Sequence, residues 1–374
     1  MIYRQLGNTG LKVSQLGFGA MRLPMDGEGD DARVDRDKAI GMIHAAFAGG
    51  VNYIDTAVGY CNRDSQRAVG EALKGWRDRV IVSTKNPYYG EDESAWWQNL
   101  QDSLERLDVQ TIDIYNHHGL RWQRYTEAVE PRIAAWMHKA KDQGLIRHIC
   151  CSFHDDNDAL RKVVDTGYVD SITLQYNLLD RQLEDGIAYA HDKGVGVVVM
   201  GPVGGGALGA GSEELQQVAP GIERVPELAL RFVLNNPNVS VALSGMSTME
   251  HVRENLAVAS DPVALNAADA AAVEQHLARI AELAKLYCTQ CGYCKPCPSG
   301  VNIPHAFKCF NLGRLYGLWG PARRRYARIL KDPERHGYQA DRCTKCGQCI
   351  PKCPQNLDIP AQLEEAHAAL TAED

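Results

Sequence analysis

A chain of 374 residues, 45% hydrophobic and 23% charged with a net charge of -7, has the composition of an ordinary soluble globular protein. No apolar run approaches the roughly 18–20 residues that a membrane span needs, and Met1–Gln5 does not open a signal peptide. The acidic balance and the lack of a reader motif argue against a nucleic-acid partner, and nothing points to export, so the expected compartment is the cytoplasm with thiols free for metal.

From the N-terminus, short β-branched runs alternate with longer amphipathic stretches. Strands are expected near Val13–Phe18, Val51–Asp55, Val80–Thr84, Thr111–Tyr115, Ile146–Cys151, Ser171–Leu174, Val195–Met200 and Ser240–Leu243. Helical patterns fall between them at Arg36–Ala48, Ser65–Lys74, Glu93–Leu107, Thr126–Lys141, Leu160–Val164, Gln182–Asp192 and Pro226–Leu234. Runs such as Val197-Val198-Val199-Met200 suit strands buried on both faces. Eight strand–helix units predict a closed (β/α)8 TIM barrel over residues 1–285. A doubly wound sheet is disfavoured, because no Gly-x-Gly-x-x-Gly follows the first strand.

Ala267–Leu286 is helix-prone and leads out of the barrel. Residues 286–374 are expected to form a small α-rich domain with a helix from Ile303 to about Leu330 and another over Ile359–Leu370. It holds eight of the twelve cysteines in two runs, Cys288-x2-Cys291-x2-Cys294-x2-Cys297-Pro298 and Cys343-x2-Cys346-x2-Cys349-x3-Cys353-Pro354. Three thiolates spaced by two residues reach three corners of one cuboidal cluster, and a fourth followed by proline crosses to the other. The expected ligands are Cys288, Cys291, Cys294 and Cys353 for one 4Fe–4S cluster, and Cys343, Cys346, Cys349 and Cys297 for the second. A tetrahedral zinc site fits such runs poorly. Ligation also replaces a core too small to hold alone. Between the runs, Arg323, Arg324, Arg325, Arg328 and Lys331 read first as a solvated helix face, and second as a docking patch for an acidic redox partner.

Barrel enzymes take their reacting groups from the C-terminal ends of strands and the loops after them. Asp55, Tyr60, Lys85 and His118 stand at those ends. The segments around them resemble the aldo/keto reductases: Leu6-Gly7-x2-Gly10-Leu11-x-Val13-Ser14, Gly17-Phe18-Gly19, Asp55-Thr56-Ala57-x-Gly59-Tyr60, Ser83-Thr84-Lys85, His118-Gly119, Gln175-Tyr176-Asn177 and Glu254-Asn255, in family order. Ser152-Phe153-His154 and Cys294-x2-Cys297-Pro298-x-Gly300-Val301-x-Ile303-Pro304 extend the resemblance to the subfamily with a ferredoxin-like extension. It implies that Tyr60 gives a proton to the developing alkoxide while His118 orients the carbonyl or assists proton transfer. On physical grounds, Lys85, kept charged by Asp55, should lower the phenol's pKa. Strand alternation lets only one of His117 and His118 face inward, and His118 holds the family position before Gly119.

The resemblance also implies a nicotinamide cofactor. Ser152, Gln175 and Asn177 match positions holding the carboxamide, and Gly19 belongs to the motif of the first strand. The run Gly201–Gly211, with Gly205, would close over the pyrophosphate through backbone N–H groups. Gly245, His251, Glu254 and Asn255 fall in the adenine-side motif, where Arg253 is the lone Lys or Arg of Leu243–Asn255, leaving NADPH and NADH both open. No flavin motif is visible, although a flavin would reconcile two-electron hydride chemistry with one-electron clusters. Cys61, Cys150, Cys151 and Cys309 are expected to be small apolar fillers. His154 is read as structural or substrate-facing. Tyr88, Tyr89, Trp96 and Trp97 are read as either pocket wall or helix packing.

The expected function is NAD(P)H-dependent interconversion of a small carbonyl and an alcohol, with the cluster domain exchanging electrons with a ferredoxin- or flavodoxin-type carrier. The alternatives are a cluster-dependent one-electron reductase and a non-catalytic electron-transfer or regulatory subunit.

Overall fold

The computed structural model describes every residue except 210, 211, 217, 219–221, 223, 264, 285–287, 289–291, 332, 354–356, 373 and 374. Cys291, Pro354, Gly211 and Leu286 therefore lie outside the described residues. The chain divides into two compact units, Met1–Gly205 with Ala229–Ala264, and Gly206–Leu228 with Leu265–Asp374.

The first unit is built on eight strands: β1 (Leu16–Gly19), β2 (Tyr53–Asp55), β3 (Ile81–Asn86), β4 (Ile112–Leu120), β5 (Ile146–Phe153), β6 (Ser171–Gln175), β7 (Gly196–Met200) and β8 (Val241–Ser244). All pair in parallel and in sequence, and β8 returns to β1 to close the barrel. The intervening helices are α1 (Arg36–Ala48), α2 (Ser65–Ala72), α3 (Glu93–Leu107), α4 (beginning at Trp122), α5 (Asn157–Asp165), α6 (Glu184–Asp192), α7 (Val225–Asn235) and α8 (Met249–Ser260). Several start where a side-chain oxygen accepts from a free backbone N–H: Asp35 from Lys38, Asp92 from Ser94, Asp156 from Ala159 and Thr248 from His251.

Below β1, Tyr3–Gln5 and Lys12–Ser14 pair as an antiparallel hairpin. Its Leu6 and Val13 join Tyr53, Ile114, Cys150, Val198 and Val241 in one buried cluster, so the hairpin plugs the N-terminal end of the barrel and leaves the other end for chemistry. Val13, expected to start the first strand, belongs to this plug. Cys150 lies in the same cluster because β5 runs on to Phe153, which corrects its expected place at the strand end.

Helix α4 begins earlier than expected and runs in three continuous pieces, Trp122–Arg124, Tyr125–Ile133 and Ala134–Asp142. The middle piece is wound as a π-helix and contains Pro131, whose missing N–H makes regular α-helical bonding impossible there.

In the second unit, α9 (Ala267–Ala284) precedes the first cysteine run. The single helix expected over Ile303 to Leu330 is two, α10 (Ile303–Tyr316) and α11 (Trp319–Ala327). Gly317 ends α10 with φ 64, a left-handed cap that redirects the chain. The last helix, α12 (Ile359–Thr371), falls where the sequence pattern places it. Ser212 of Gly206–Leu228 donates from Oγ to the carbonyl oxygen of Tyr316 at 2.6 Å, which ties that segment to α10. Cys309 is buried in α10, as a packing residue would be. Among the described residues no helix is long and apolar enough to cross a membrane.

Helices α2 and α3 approach closely enough that glycine is needed at position 70. A Cβ there would stand 2.6 Å from the carbonyl oxygen of Arg106 and 2.8 Å from that of Leu107. Gly70→Ala is therefore expected to cost about 1–3 kcal/mol through overpacking, read as a lower midpoint in thermal unfolding. A variant as stable as the parent would contradict this contact.

Candidate active site

The four residues at strand ends converge at the C-terminal mouth of the barrel. Asp55 ends β2, Lys85 stands near the end of β3 and His118 near the end of β4, while Tyr60 follows in the loop after β2. Lys85 and Asp55 form an ion pair with side chains only 2% and 6% exposed. The ammonium also donates to the Thr56 carbonyl oxygen at 2.8 Å. Ser83 Oγ donates to Asp55 Oδ2 at 2.8 Å, and Asn116 Nδ2 donates to Ser83 Oγ at 3.0 Å. Ser83 and Asn116 were not singled out from sequence. Asn116 escapes notice because nothing marks it until the β3–β4 register sets it opposite Lys85.

The Tyr60 ring lies 4.8 Å from the Lys85 ammonium, measured to its centroid. The His118 ring meets it edge-on, at 6.1 Å and 86°. After Tyr60 come three consecutive non-glycine residues with positive φ, Cys61 (50°), Asn62 (53°) and Arg63 (68°). Such residues persist only where their surroundings over-determine them. Here Asn62 Nδ2 donates to the Gly29 carbonyl at 2.8 Å, and Asp64 accepts from the Val34 N–H at 2.9 Å while pairing with Arg36 at 2.8 Å. Cys61 Sγ lies 3.5 Å from the Met21 carbonyl oxygen. This thiol anchors a turn, a more specific role than filler.

His117 and His118 face opposite ways, as alternation requires. His117 is buried with Nε2 2.9 Å from the Tyr168 hydroxyl, away from Tyr60. Trp96 is fully buried edge-on to Tyr115, whereas Trp97 is half-buried and bonds Glu93 at 2.9 Å, so both serve helix packing. Tyr89 packs against the His117 ring at 6.2 Å, with the Arg124 guanidinium 4.9 Å from its own ring.

Burial alone would push the Lys85 ammonium down, but facing Asp55 and Tyr60 holds it above its ordinary value. The phenol behaves differently from expectation. Burial raises the Tyr60 pKa more than Lys85 lowers it, and Asp55 adds to the rise, so the hydroxyl stays protonated. Burial, then the charges of Lys85, His154 and Arg124, lowers His118 to about 4. His154 is lowered too, by burial and then by Arg121, Lys85 and Arg124. Above pH 5 the mouth thus holds a neutral phenol and a neutral imidazole beside one fixed ammonium.

The residues matched to cofactor positions surround the same mouth from β5 round to β1. Ser152 Oγ accepts from the Gly119 N–H at 3.0 Å, next to His118. Asn177 Nδ2 donates to the Gly201 carbonyl at 3.0 Å, and a Cβ at Gly201 would come within 3.2 Å of Gln175 Nε2. A Cβ at Gly19 would stand 3.2 Å from the Ser244 carbonyl, and Asn255 Nδ2 donates to Ser244 Oγ at 2.8 Å. Gly205 has φ +66, and Gly245 follows β8. His251, on α8, is exposed, with Nδ1 accepting from the Ser247 N–H at 3.4 Å, and Glu254 stands one turn further along. The glycines keep a side-chain-free cradle between these amides, which suits a long, flat, polar group.

In the second unit Cys297, Cys343, Cys346 and Cys349 line one cavity, and Cys294 lines it too. Burial and then the neighbouring Cys343, Cys294 and Cys346 raise the Cys349 thiol, a mark of their proximity. Cys288 and Cys353 are half-buried and do not line this cavity. No described cysteine forms a disulfide. A crowded all-thiol donor set suits iron–sulfur ligation.

A barrel with these groups at its C-terminal mouth defines a class of oxidoreductase. Residues 15–278 match the aldo/keto reductase family and residues 287–358 a 4Fe-4S dicluster domain, so the chain belongs to the aldo/keto reductase family and carries a 4Fe-4S domain. It is 32% identical over 286 residues to the L-galactose dehydrogenase of Arabidopsis thaliana, covering 69% of this chain and 88% of that one. It is 29% identical over 303 residues to the NADH-specific methylglyoxal reductase of Escherichia coli, covering 67% and 91%. Among solved structures it resembles the holo form of an aldo-keto reductase from Bacillus halodurans, with a TM-score of 0.63 and 29% identity over 74% of this chain and 96% of that one.

The depressed histidines carry a pH signature. Unfolded imidazoles take up protons near pH 6.5, whereas folded His118 does so near 4 and His117 near 3. Their contribution to stability is complete above pH 6.5 and is lost as pH falls through the folded values. Anaerobic thermal unfolding from pH 7 to 4 is expected to show a shallower acid loss in His118→Gln than in the parent. Parallel curves would contradict the burial of a neutral His118.

Proposed function

We propose that this protein interconverts a small carbonyl and an alcohol with a nicotinamide cofactor, and that its C-terminal domain holds two 4Fe–4S clusters that exchange electrons with a ferredoxin- or flavodoxin-type carrier. One observation carries the reading: a buried Lys85–Asp55 pair beneath Tyr60, with neutral His118 set edge-on to the same ring. Bound cofactor supplies the hydride, and the clusters supply or accept single electrons.

The chain's own residues do the rest. Tyr60, kept protonated by burial, gives its phenolic proton to the carbonyl oxygen. Lys85 stabilises the phenolate left behind, and Asp55 keeps Lys85 charged. His118, neutral and so able to donate one hydrogen bond, orients the carbonyl. Ser152, Gln175 and Asn177 hold the carboxamide, Gly19, Gly201 and Gly205 admit the pyrophosphate, and Gly245, His251, Glu254 and Asn255 line the adenosine end. The scarcity of cations in Leu243–Asn255 favours NADH, in keeping with the name of the Escherichia coli relative.

For the second domain, residues 286–374, we assign Cys343, Cys346, Cys349 and Cys297 to one cluster, and Cys288, Cys291, Cys294 and Cys353 to the other. The shared cavity supports the first set.

Tyr60→Phe is expected to lower turnover of small carbonyls, methylglyoxal first, by about 100-fold or more while NADH binding persists. Retained turnover would remove Tyr60 as proton donor and favour one-electron chemistry at the clusters. Cys297→Ala and Cys353→Ala should each reduce anaerobically purified protein from about eight to about four iron atoms per chain. Unchanged iron in either would refute the crossed ligation.

A further inference from the structure

The mouth of the barrel carries a guanidinium that neither the reacting groups nor the cofactor positions account for. Arg124 stands in the first turn of α4, Trp122–Arg124, just after β4. That turn is well anchored. The Trp122 N–H donates to Asp155 Oδ2 at 3.1 Å, and buried Tyr125 stacks on Trp122 at 5.4 Å. From there Arg124 Nη1 reaches back and donates to the Gly119 carbonyl oxygen at 2.9 Å, one residue from His118. Gly119 leaves room for this approach, since an added Cβ would stand 3.5 Å from the same nitrogen. The Gly119 N–H donates to Ser152 Oγ at 3.0 Å, so Arg124 and Ser152 hold opposite ends of the residue beside His118.

No carboxylate balances this charge. Arg36 pairs with Asp64 and Glu71, Arg106 with Asp102, Arg147 with Asp113 and Arg231 with Asp261. Arg124 has only the Gly119 carbonyl and the Tyr89 side chain as partners among the described residues. Glu127, one turn further along, accepts from Gln123 at 2.9 Å, and Asp155 is engaged at the helix start. Burial lowers His118 and His154 first; Lys85 and Arg124 then act on both, Arg121 acts on His154, and no carboxylate opposes them. A guanidinium has five N–H donors, and the Gly119 bond uses one. An exposed planar cation, with donors to spare and standing beside the group that orients the carbonyl, suits a carboxylate.

We propose that Arg124 binds the carboxylate of a small oxo acid whose carbonyl is held by Tyr60 and His118. The proposal rests on the carbonyl-reduction reading above and names its substrate class. The chemistry is that of the reading: hydride from the reduced nicotinamide goes to the carbonyl carbon, and the Tyr60 proton goes to the oxygen. The oxo acid becomes a hydroxy acid, the nicotinamide is left oxidised, and Tyr60 regains its proton from water. Arg124 makes and breaks no covalent bond. It holds the anion at the rim, so an oxo acid is favoured over an aldehyde of the same size.

The test uses anaerobically purified full-length protein and its Arg124→Gln and Arg124→Lys variants. The substrates are matched pairs, glyoxylate against methylglyoxal and succinate semialdehyde against butanal. In at least one pair the parent is expected to show the lower KM for the acid. Arg124→Gln should raise that KM about 10-fold or more beyond any change for the uncharged partner, with kcat little altered. Arg124→Lys should recover part of the loss, since it keeps the charge without the fork. Calorimetric titration with the product hydroxy acid in the presence of NADH, which cannot react with it, gives a readout free of turnover. Arg124→Gln should weaken that binding by a similar factor. Equal losses for charged and uncharged substrates would overturn the proposal by making Arg124 a support for the Gly119 turn. Unchanged KM and hydroxy-acid affinity would overturn it as well. A parent that reduces the uncharged aldehydes but neither oxo acid would end the proposal and leave the carbonyl reading standing. A parent that binds the hydroxy acid through Arg124 yet reduces no carbonyl would sink that reading and keep the anion site.

Discussion

The mouth of the barrel depends on one buried ion pair. Taking Lys85 and Asp55 out of water costs several kcal/mol for each ion, recovered only if the pair is close and its remaining donors and acceptors are satisfied. The barrel meets that condition through strand register. Asp55 lies opposite Ser83, which hydrogen-bonds it, and Lys85 lies opposite Asn116, which holds Ser83. Three adjacent strands therefore fix one charge at one height in the barrel. Tyr60, placed above that charge, feels its field without water to screen it. A slip of one residue in β3 would turn Lys85 away from Asp55 and leave an unpaired carboxylate in its place.

The charge also settles which protonation states meet at the site. The simplest argument from residue types gives Lys85 the power to bring the phenol toward ionisation. In the folded chain burial outweighs it, because the phenolate would be desolvated along with everything else. The result is a proton kept on the phenol beside a fixed ammonium, the state that the proposed reaction requires. The same burial, with the Lys85 and Arg124 cations near it, keeps His118 neutral. The neutral states of Tyr60 and His118 thus share one leading cause, burial beside a fixed positive charge.

Strand and helix order, the four groups at the mouth and the two cysteine runs were legible because each is a local pattern. Helices α1 and α3 run over the very residues their periodicity marks, with Asp35 and Asp92 as caps at the start. Misreadings came where the deciding factor is not local. Gly317 looks tolerable inside a helix, yet it takes the left-handed conformation that splits the stretch after the first cysteine run. The helix expected from Thr126 starts earlier, at Trp122, and runs through Pro131 in a wider winding. Val13 looks like the start of β1 but belongs to the plug, since only the closed barrel creates the cavity it fills. Ser83 is read only as part of the segment leading to Lys85, and Asn116 carries no signature at all, until register sets both beside the ion pair.

Charge at the barrel mouth illustrates the same limit. Read along the chain, the adenine-side motif looks poor in cations, since Arg253 is the lone lysine or arginine of Leu243–Asn255. Barrel closure changes that inventory by laying β1 against β8, so that Arg22 reaches the mouth from the opposite end of the sequence. Its turn is pinned by Cys61 and Ser65, which flank the left-handed loop after Tyr60. A movement of that loop therefore bears on both Tyr60 and Arg22. Orientation at the reacting carbon is sensitive to displacements near 1 Å. The Ser65 and Cys61 contacts tie the turn that carries Arg22 to the loop that carries Tyr60, so a shift in one is resisted by the other.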